Sequence, residues 1–226
     1  MWQMLFDLDG TILDTTDLIL KSFVHTFNEG LHRTVTHEEL VMHFGRPLAA
    51  QFQLMCPDLP DPEIERLVAI YREHNERLHD QWARVVPGAD RGLRALHARG
   101  FPLGIVTSKR EDLTLHGLEL FGLHELFHVI VHAESTTRHK PHPEPVELAR
   151  KLLGGSAEET AYVGDSPYDM MAGRSSGVHT LGLVHNTFSI DVLQEAGAEA
   201  VVFDWGDVTK TLTGWAGVGI DAIDKI

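Results

Sequence analysis

Cysteine is nearly absent: the 226 residues hold only Cys56, so no intramolecular disulfide framework can form. It is followed by Pro57-Asp58, a pair that reads as a loop. Positive charge is also scarce, with 19 Lys+Arg against 33 Asp+Glu and a net charge of −14. Nucleic acids and anionic membranes are held by basic patches, so neither is expected as a partner. No apolar run approaches the ~20 residues of a membrane span. At the N-terminus, Asp7 and Asp9 interrupt the chain before a signal-peptide pattern develops, and the expected location is the cytoplasm. The fifteen histidines are scattered, and pairs such as His128/His132 and His139/His142 lack cysteine partners at zinc spacing. They read as surface or capping residues. Apolar residues make up 43% of the chain, enough for one large domain or a core domain with an insertion. The sequence does not fix an oligomeric state, and a monomer is compatible with it.

The chain has a clear alternation. Residues 2–6 form a short apolar strand, and further apolar segments recur at 102–107, 126–131, 160–164, 178–183 and 200–203. Helical patterns separate them, including Asp112-Leu113 to Phe121 and Pro143 to Leu153, the latter closed by Gly154-Gly155. This order predicts an α/β fold, a Rossmann-like parallel sheet with helices on both faces. One interval breaks the rhythm. From about Thr15 to Arg84 no strand pattern appears, whereas Leu20, Phe23, Val24, Phe27 and Leu31 recur at helical spacing, and Ile64, Leu67, Val68, Tyr71, Leu78 and Trp82 form a second stripe. The expected division is a core domain of residues 1–14 and 85–226 with an all-helical cap subdomain at 15–84. Such a unit would cover the crevice at the carboxyl ends of the strands, where open α/β sheets bind ligands.

In such a sheet the residues that follow each strand meet in space. Asp7 and Asp9 follow the first, Thr107-Ser108-Lys109 the second, Lys140-Pro141 lies downstream of the third, and Gly164-Asp165-Ser166-Pro167-Tyr168-Asp169 follows the fourth. Carboxylates gathered in one crevice repel unless a cation neutralises them, and oxygen-only ligands suit Mg²⁺. Lysine and hydroxyl donors beside the metal suit a transferring phosphoryl group. Two acids two residues apart then take separate parts. Asp7 attacks phosphorus to form an aspartyl-phosphate, while Asp9 protonates the leaving oxygen and later deprotonates the attacking water.

The segments Asp7-Leu8-Asp9-Gly10-Thr11, Val106-Thr107-Ser108, Lys140-Pro141 and Gly164 to Asp169 resemble, in order, the four motifs of the haloacid dehalogenase (HAD) superfamily. The resemblance implies a helical cap over the active site and Mg²⁺ held by Asp7, the main-chain carbonyl of Asp9 and Asp165, with Asp169 supporting. It also implies that Thr107 and Ser108 hold phosphoryl oxygens and that Lys140 ties Asp7 to them. More locally, residues 14–28, Tyr71 to Asn75 and Lys140 to Val146 resemble the bacterial inorganic pyrophosphatases of this superfamily, relatives of the phosphoglycolate phosphatases. The implied substrate is a small anionic phosphate, with pyrophosphate leading and phosphoglycolate or another phosphomonoester as the alternative. From another class, a non-catalytic Mg²⁺-binding phosphate sensor would need an aspartate to be phosphorylated, but not the second acid at Asp9.

Five residues carry a bland reading beside the functional one. Thr107-Ser108 could cap the helix that begins near Glu111, and Lys140 could be a solvated lysine before a proline turn. Lys109 could be a surface charge. Arg46, in Phe44-Gly45-Arg46-Pro47, could be a plain loop arginine, or a rigid loop could lower its planar guanidinium onto the substrate's distal anion.

Overall fold

The computed structural model describes residues 1–185 and 187–218. Its strands are β1 (Gln3–Phe6), β2 (Leu13–Asp14), β3 (Arg84–Val85), β4 (Leu103–Val106), β5 (Val129–Val131), β6 (Thr160–Gly164), β7 (His179–Leu183) and β8 (Ala200–Val202). Six of them form a parallel sheet in the order β5-β4-β1-β6-β7-β8. Period-two alternation divides the central strand between two faces. Met4 and Phe6 enter one apolar cluster with Leu93, Trp205 and Leu212, whereas Leu5 enters another with Tyr162, Val146 and Ala172. Burial on both faces explains why these strands read as continuous apolar runs. The third strand is shorter than expected. Residues His124–Leu126 form a tight turn that buries Leu126, and Phe127 N–H donates back to His124, so pairing begins at Val129.

Helices α1 (Thr16–Leu31), α2 (His37–Val41), α3 (Leu48–Met55) and α4 (Asp61–Trp82) lie between β2 and β3. They close around their own apolar cluster, centred on Phe23, Phe27, Phe52, Leu67 and Tyr71. Cys56 is buried at the end of α3. The root of this insertion is a two-residue antiparallel ribbon, β2 against β3, which pairs Leu13 with Val85 and Asp14 with Arg84. Strands so short show no period, and the sequence carries no sign of them. Two details of the helical stripes also differ from expectation. Val24 faces outward, and α4 buries Tyr71, Asn75 and His79 while Leu78 and Trp82 remain half-exposed. As α4 nears the strand ends its inner face turns polar.

Helices α5 (Ala89–Ala98), α6 (Glu111–Leu120), α7 (Glu144–Leu153), α8 (Pro167–Ser175), α9 (Ile190–Ala196) and α10 (Trp205–Trp215) complete the Rossmann-like domain. Among the described residues no helix is long and apolar enough to cross a membrane.

Candidate active site

The main chain leaves β1 at Asp7, whose N–H still donates to Val163, and turns at Gly10. Gly10 has φ +85°, and a Cβ there would stand 2.1 Å from an Asp165 carboxylate oxygen. Glycine is needed on both counts. Asp7, Asp165 and Asp169 each present a carboxylate oxygen within 4.8 Å of the others. Lys140, buried, stands behind them: its Nζ donates to Asp7 Oδ1 at 2.8 Å and to Asp169 Oδ1 at 2.6 Å. The solvated-lysine reading does not hold.

Asp169 is occupied on every side. Besides Lys140 it accepts from the Tyr162 hydroxyl at 2.8 Å, and its other oxygen accepts from the N–H and the hydroxyl of Ser166, which caps α8. Asp165 has one weak partner in the hydrogen-bond network, the Thr11 hydroxyl at 3.4 Å. Three acids therefore share one ammonium. Burial lifts the Asp7 carboxyl to about 7; Lys140 opposes this, and the charges of Asp169 and Asp9 add to it. Burial, then the charges of Asp7 and Asp169, hold Asp165 well above the ordinary range. The Lys140 ammonium is pushed up by its two acids, against the effect of its own burial. This oxygen-only set with surplus negative charge fits a hard divalent cation such as Mg²⁺.

The charge surplus makes cation removal pH-dependent. In the cation-free protein the Asp7 carboxyl titrates above its ordinary 3.8, so the folded state holds the proton more tightly than the unfolded chain. Its stabilising contribution is complete below the unfolded value and is lost as pH rises through the folded one. A bound cation would replace that proton. Thermal melts at one fixed Mg²⁺ concentration, a hundredfold above the Kd at pH 8, should show Tm raised by roughly 5–10 °C near pH 8 and by much less near pH 5. An equal shift at both would mean that these carboxylates do not hold the ion.

The Asp9 carboxylate lies outside that group. It accepts from Lys109 Nζ at 2.8 Å and from the Thr15 hydroxyl at 2.7 Å. Burial would raise its pKa, but Lys109 and Thr15 outweigh burial and hold it below the ordinary range. Lys109 is largely buried and is no surface charge. The cap reading of Thr107-Ser108 also fails, because α6 is capped at Arg110. Thr107 Oγ1 accepts from the Lys109 N–H, and Ser108 Oγ donates to the Gly45 carbonyl at 2.9 Å, across to the helical insertion.

The insertion's loop between α2 and α3 closes onto this centre. Gly45 has φ +91°, and a Cβ there would approach Ser166 Oγ to 2.6 Å. Tyr168 donates its hydroxyl to the Met42 carbonyl, and the Arg46 guanidinium lies 4.4 Å from the centre of the Tyr168 ring. Arg46 Nε is buried with no hydrogen-bond partner. Below the loop is a cavity of about 270 Å³, lined by Asp7, Asp9, Thr107, Ser108, Lys109, Lys140, Asp165 and Arg46. Asp169 lies behind its wall. Gln51, Arg72 and Asn75 also line it. Periodicity alone missed these three. The signal for Asn75 was its position four residues beyond Tyr71, a polar interruption of a buried stripe.

A parallel sheet under a helical insertion, with acids and a buried lysine gathered at the strand ends, defines an α/β enzyme of the Rossmann-like type. Residues 4–183 match the haloacid dehalogenase-like hydrolase family, and the chain belongs to it. It is 40% identical over 177 residues to pyrophosphatase PpaX of Halalkalibacterium halodurans, covering 78% of this chain and 80% of that one. Pyrophosphatase PpaX of Bacillus pumilus is 40% identical over 180 residues, covering 80% and 82%. In three dimensions the chain resembles a hydrolase from Pseudomonas syringae with a TM-score of 0.87 at 24% identity, over 95% of this chain and 99% of that one. A predicted phosphoglycolate phosphatase from Haemophilus somnus 129pt gives 0.82 at 23% identity, over 92% and 96%. Membership of a hydrolase family sets aside the non-catalytic sensor.

Proposed function

We propose that this hydrolase releases phosphate from a small phosphate compound in the cytoplasm, with Mg²⁺ as cofactor, and that its leading substrate is inorganic pyrophosphate. The observation that carries the reading is the pair at the β1 exit: Asp7 beside Lys140 and the other acids, and Asp9 set apart from them on Lys109. Asp7, Asp165 and the Asp9 carbonyl would hold the cation, with Asp169 behind them. When bound, the ion offsets the negative charge of the carboxylates and the phosphoryl oxygens.

An Asp7 oxygen attacks phosphorus, and the bond to the leaving oxygen breaks as Asp9 gives that oxygen a proton. Asp9 then takes a proton from water as the water attacks the phosphorus of the aspartyl-phosphate, which frees phosphate and restores Asp7. Thr107 and Ser108 donate to the phosphoryl oxygens, and Lys140 keeps Asp7 oriented. Lys109 couples binding to protonation. A phosphoryl dianion entering beside it competes with Asp9 for the ammonium, and Asp9 shifts towards the protonated form that the leaving group needs.

Residues 15–84 act as the cap and read the leaving half of the substrate. Two guanidiniums, Arg46 and Arg72, line the cap side of the cavity. They favour a leaving phosphate, which offers more charge and more acceptor oxygens than a carboxylate. The relatives named pyrophosphatase support the same choice. Phosphoglycolate or another phosphomonoester is the second reading. It is favoured by the apolar part of the wall, Leu18, Ile19, Phe44 and Leu48, which accommodates carbon.

A phosphate-release panel over pyrophosphate, phosphoglycolate, sugar phosphates and nucleotides tests the choice; kcat/KM highest for pyrophosphate is expected. Arg46→Ala should lose roughly 2–4 kcal/mol of transition-state binding for pyrophosphate and barely change hydrolysis of p-nitrophenyl phosphate. Equal losses on both would assign Arg46 to cap folding through its contact with Tyr168.

A further inference from the structure

A second cluster of ligand-type side chains lies outside the catalytic cavity, where the last helix of the insertion meets α6. His79 and Asp80 come from α4 and His116 from α6. His116 Nε2 is 2.6 Å from Asp80 Oδ1, and His79 Nδ1 is 3.3 Å from the same oxygen. One ligand atom from each residue lies within 4.8 Å of the other two. The two imidazole rings meet nearly edge to face, 5.2 Å between centres.

His79 is 1% exposed, and its Nε2 is buried without a hydrogen-bond partner. That edge of the ring faces α6 at Gly117, the residue after His116: a Cβ on Gly117 would sit 3.6 Å from Nε2. That nitrogen is turned towards α6, so Nδ1, 3.3 Å from Asp80 Oδ1, is the atom the ring offers to the cluster. The other two ligands are on exposed side chains.

We propose that His79, Asp80 and His116 form a second metal site, for a borderline divalent ion of the Zn²⁺ class, which ties the helical insertion to the sheet domain. Two imidazoles and one carboxylate suit Zn²⁺ and its neighbours rather than Mg²⁺, which takes oxygen ligands. Ligand atoms about 2.0–2.2 Å from a tetrahedral ion stand roughly 3.3–3.6 Å apart, a spacing that His79 Nδ1 and Asp80 Oδ1 already have at 3.3 Å. Asp80 and His116 need only exchange their hydrogen bond for the ion, and a fourth position stays open to water. Burial, followed by the Lys109 charge, holds the His79 ring below the ordinary histidine range against the pull of Asp80. The neutral ring is the form a metal takes. The site is separate from the catalytic acids, which offer oxygen alone.

Co²⁺ serves as the spectroscopic probe, titrated into full-length protein saturated with Mg²⁺. One equivalent should give the visible absorption of tetrahedral cobalt, and Zn²⁺ should abolish it stoichiometrically. His116→Ala and Asp80→Ala remove exposed side chains, so the fold should survive. Each should weaken cobalt binding at least about tenfold and leave Mg²⁺-supported turnover unchanged. The readout is binding, so it does not depend on the substrate proposed above. No visible band in the wild type, or a band unchanged in both variants, would overturn the site; the second result would put cobalt on the catalytic carboxylates.

Discussion

Asp7→Asn should fold and release no measurable phosphate from any substrate in the panel. The carboxamide is a poor nucleophile and a weaker cation ligand, and loss of a catalytic nucleophile costs on the order of 10⁶-fold in rate. The fold should tolerate the change because Asp169 still receives Lys140 at 2.6 Å, so the buried ammonium keeps an ionic partner. Removing one of three crowded acids also relieves the burial and repulsion that push Asp7 up to about 7. Tm measured with EDTA should therefore equal or exceed that of the wild type. Mg²⁺-dependent turnover within tenfold of the wild type would show that the nucleophile lies elsewhere.

Asp9→Asn separates the two half-reactions. On pyrophosphate both the departure of the leaving group and the attack of water lose their proton carrier, and kcat should fall by about 10²–10⁴-fold. On p-nitrophenyl phosphate the leaving group departs as a stable anion without an acid, but water still needs the base. Rapid mixing should show a burst of nitrophenolate close to one equivalent per enzyme, followed by slow turnover. A steady, burst-free loss would place Asp9 in binding rather than proton transfer. The variant also loses the Asp9 partner of Lys109, and Lys109→Met separates the two effects because it removes the ion pair and leaves the acid.

The sheet and the motifs were legible in the sequence because each is local. A strand buried on both faces announces itself as an apolar run, and a turn that needs Gly10 or an acid at a strand exit appears within a few residues. Long-range contacts could not be read in the same way. The ribbon of β2 and β3 pairs residues about seventy positions apart, with two residues per strand. The contact of Lys109 with Asp9 spans 100 positions, and surface lysine and active-site lysine look alike until the fold joins them. Along α4, the stripe continued through Leu78 and Trp82 on hydropathy alone. The helix instead buries Asn75, which donates to the Ser22 hydroxyl of α1, and His79, which packs against Gly117 of α6. Arg46 was open in the sequence for the same reason: its surroundings come from Tyr168, 122 positions away, over which its guanidinium lies.

The hydroxyl of Ser108 has one proton to give, and here it is given to the Gly45 carbonyl of the insertion. Any phosphoryl oxygen that claims this proton takes it from the cap. In the proposed reaction, docking at the sheet and retention of the loop thus become two bids for a single hydrogen.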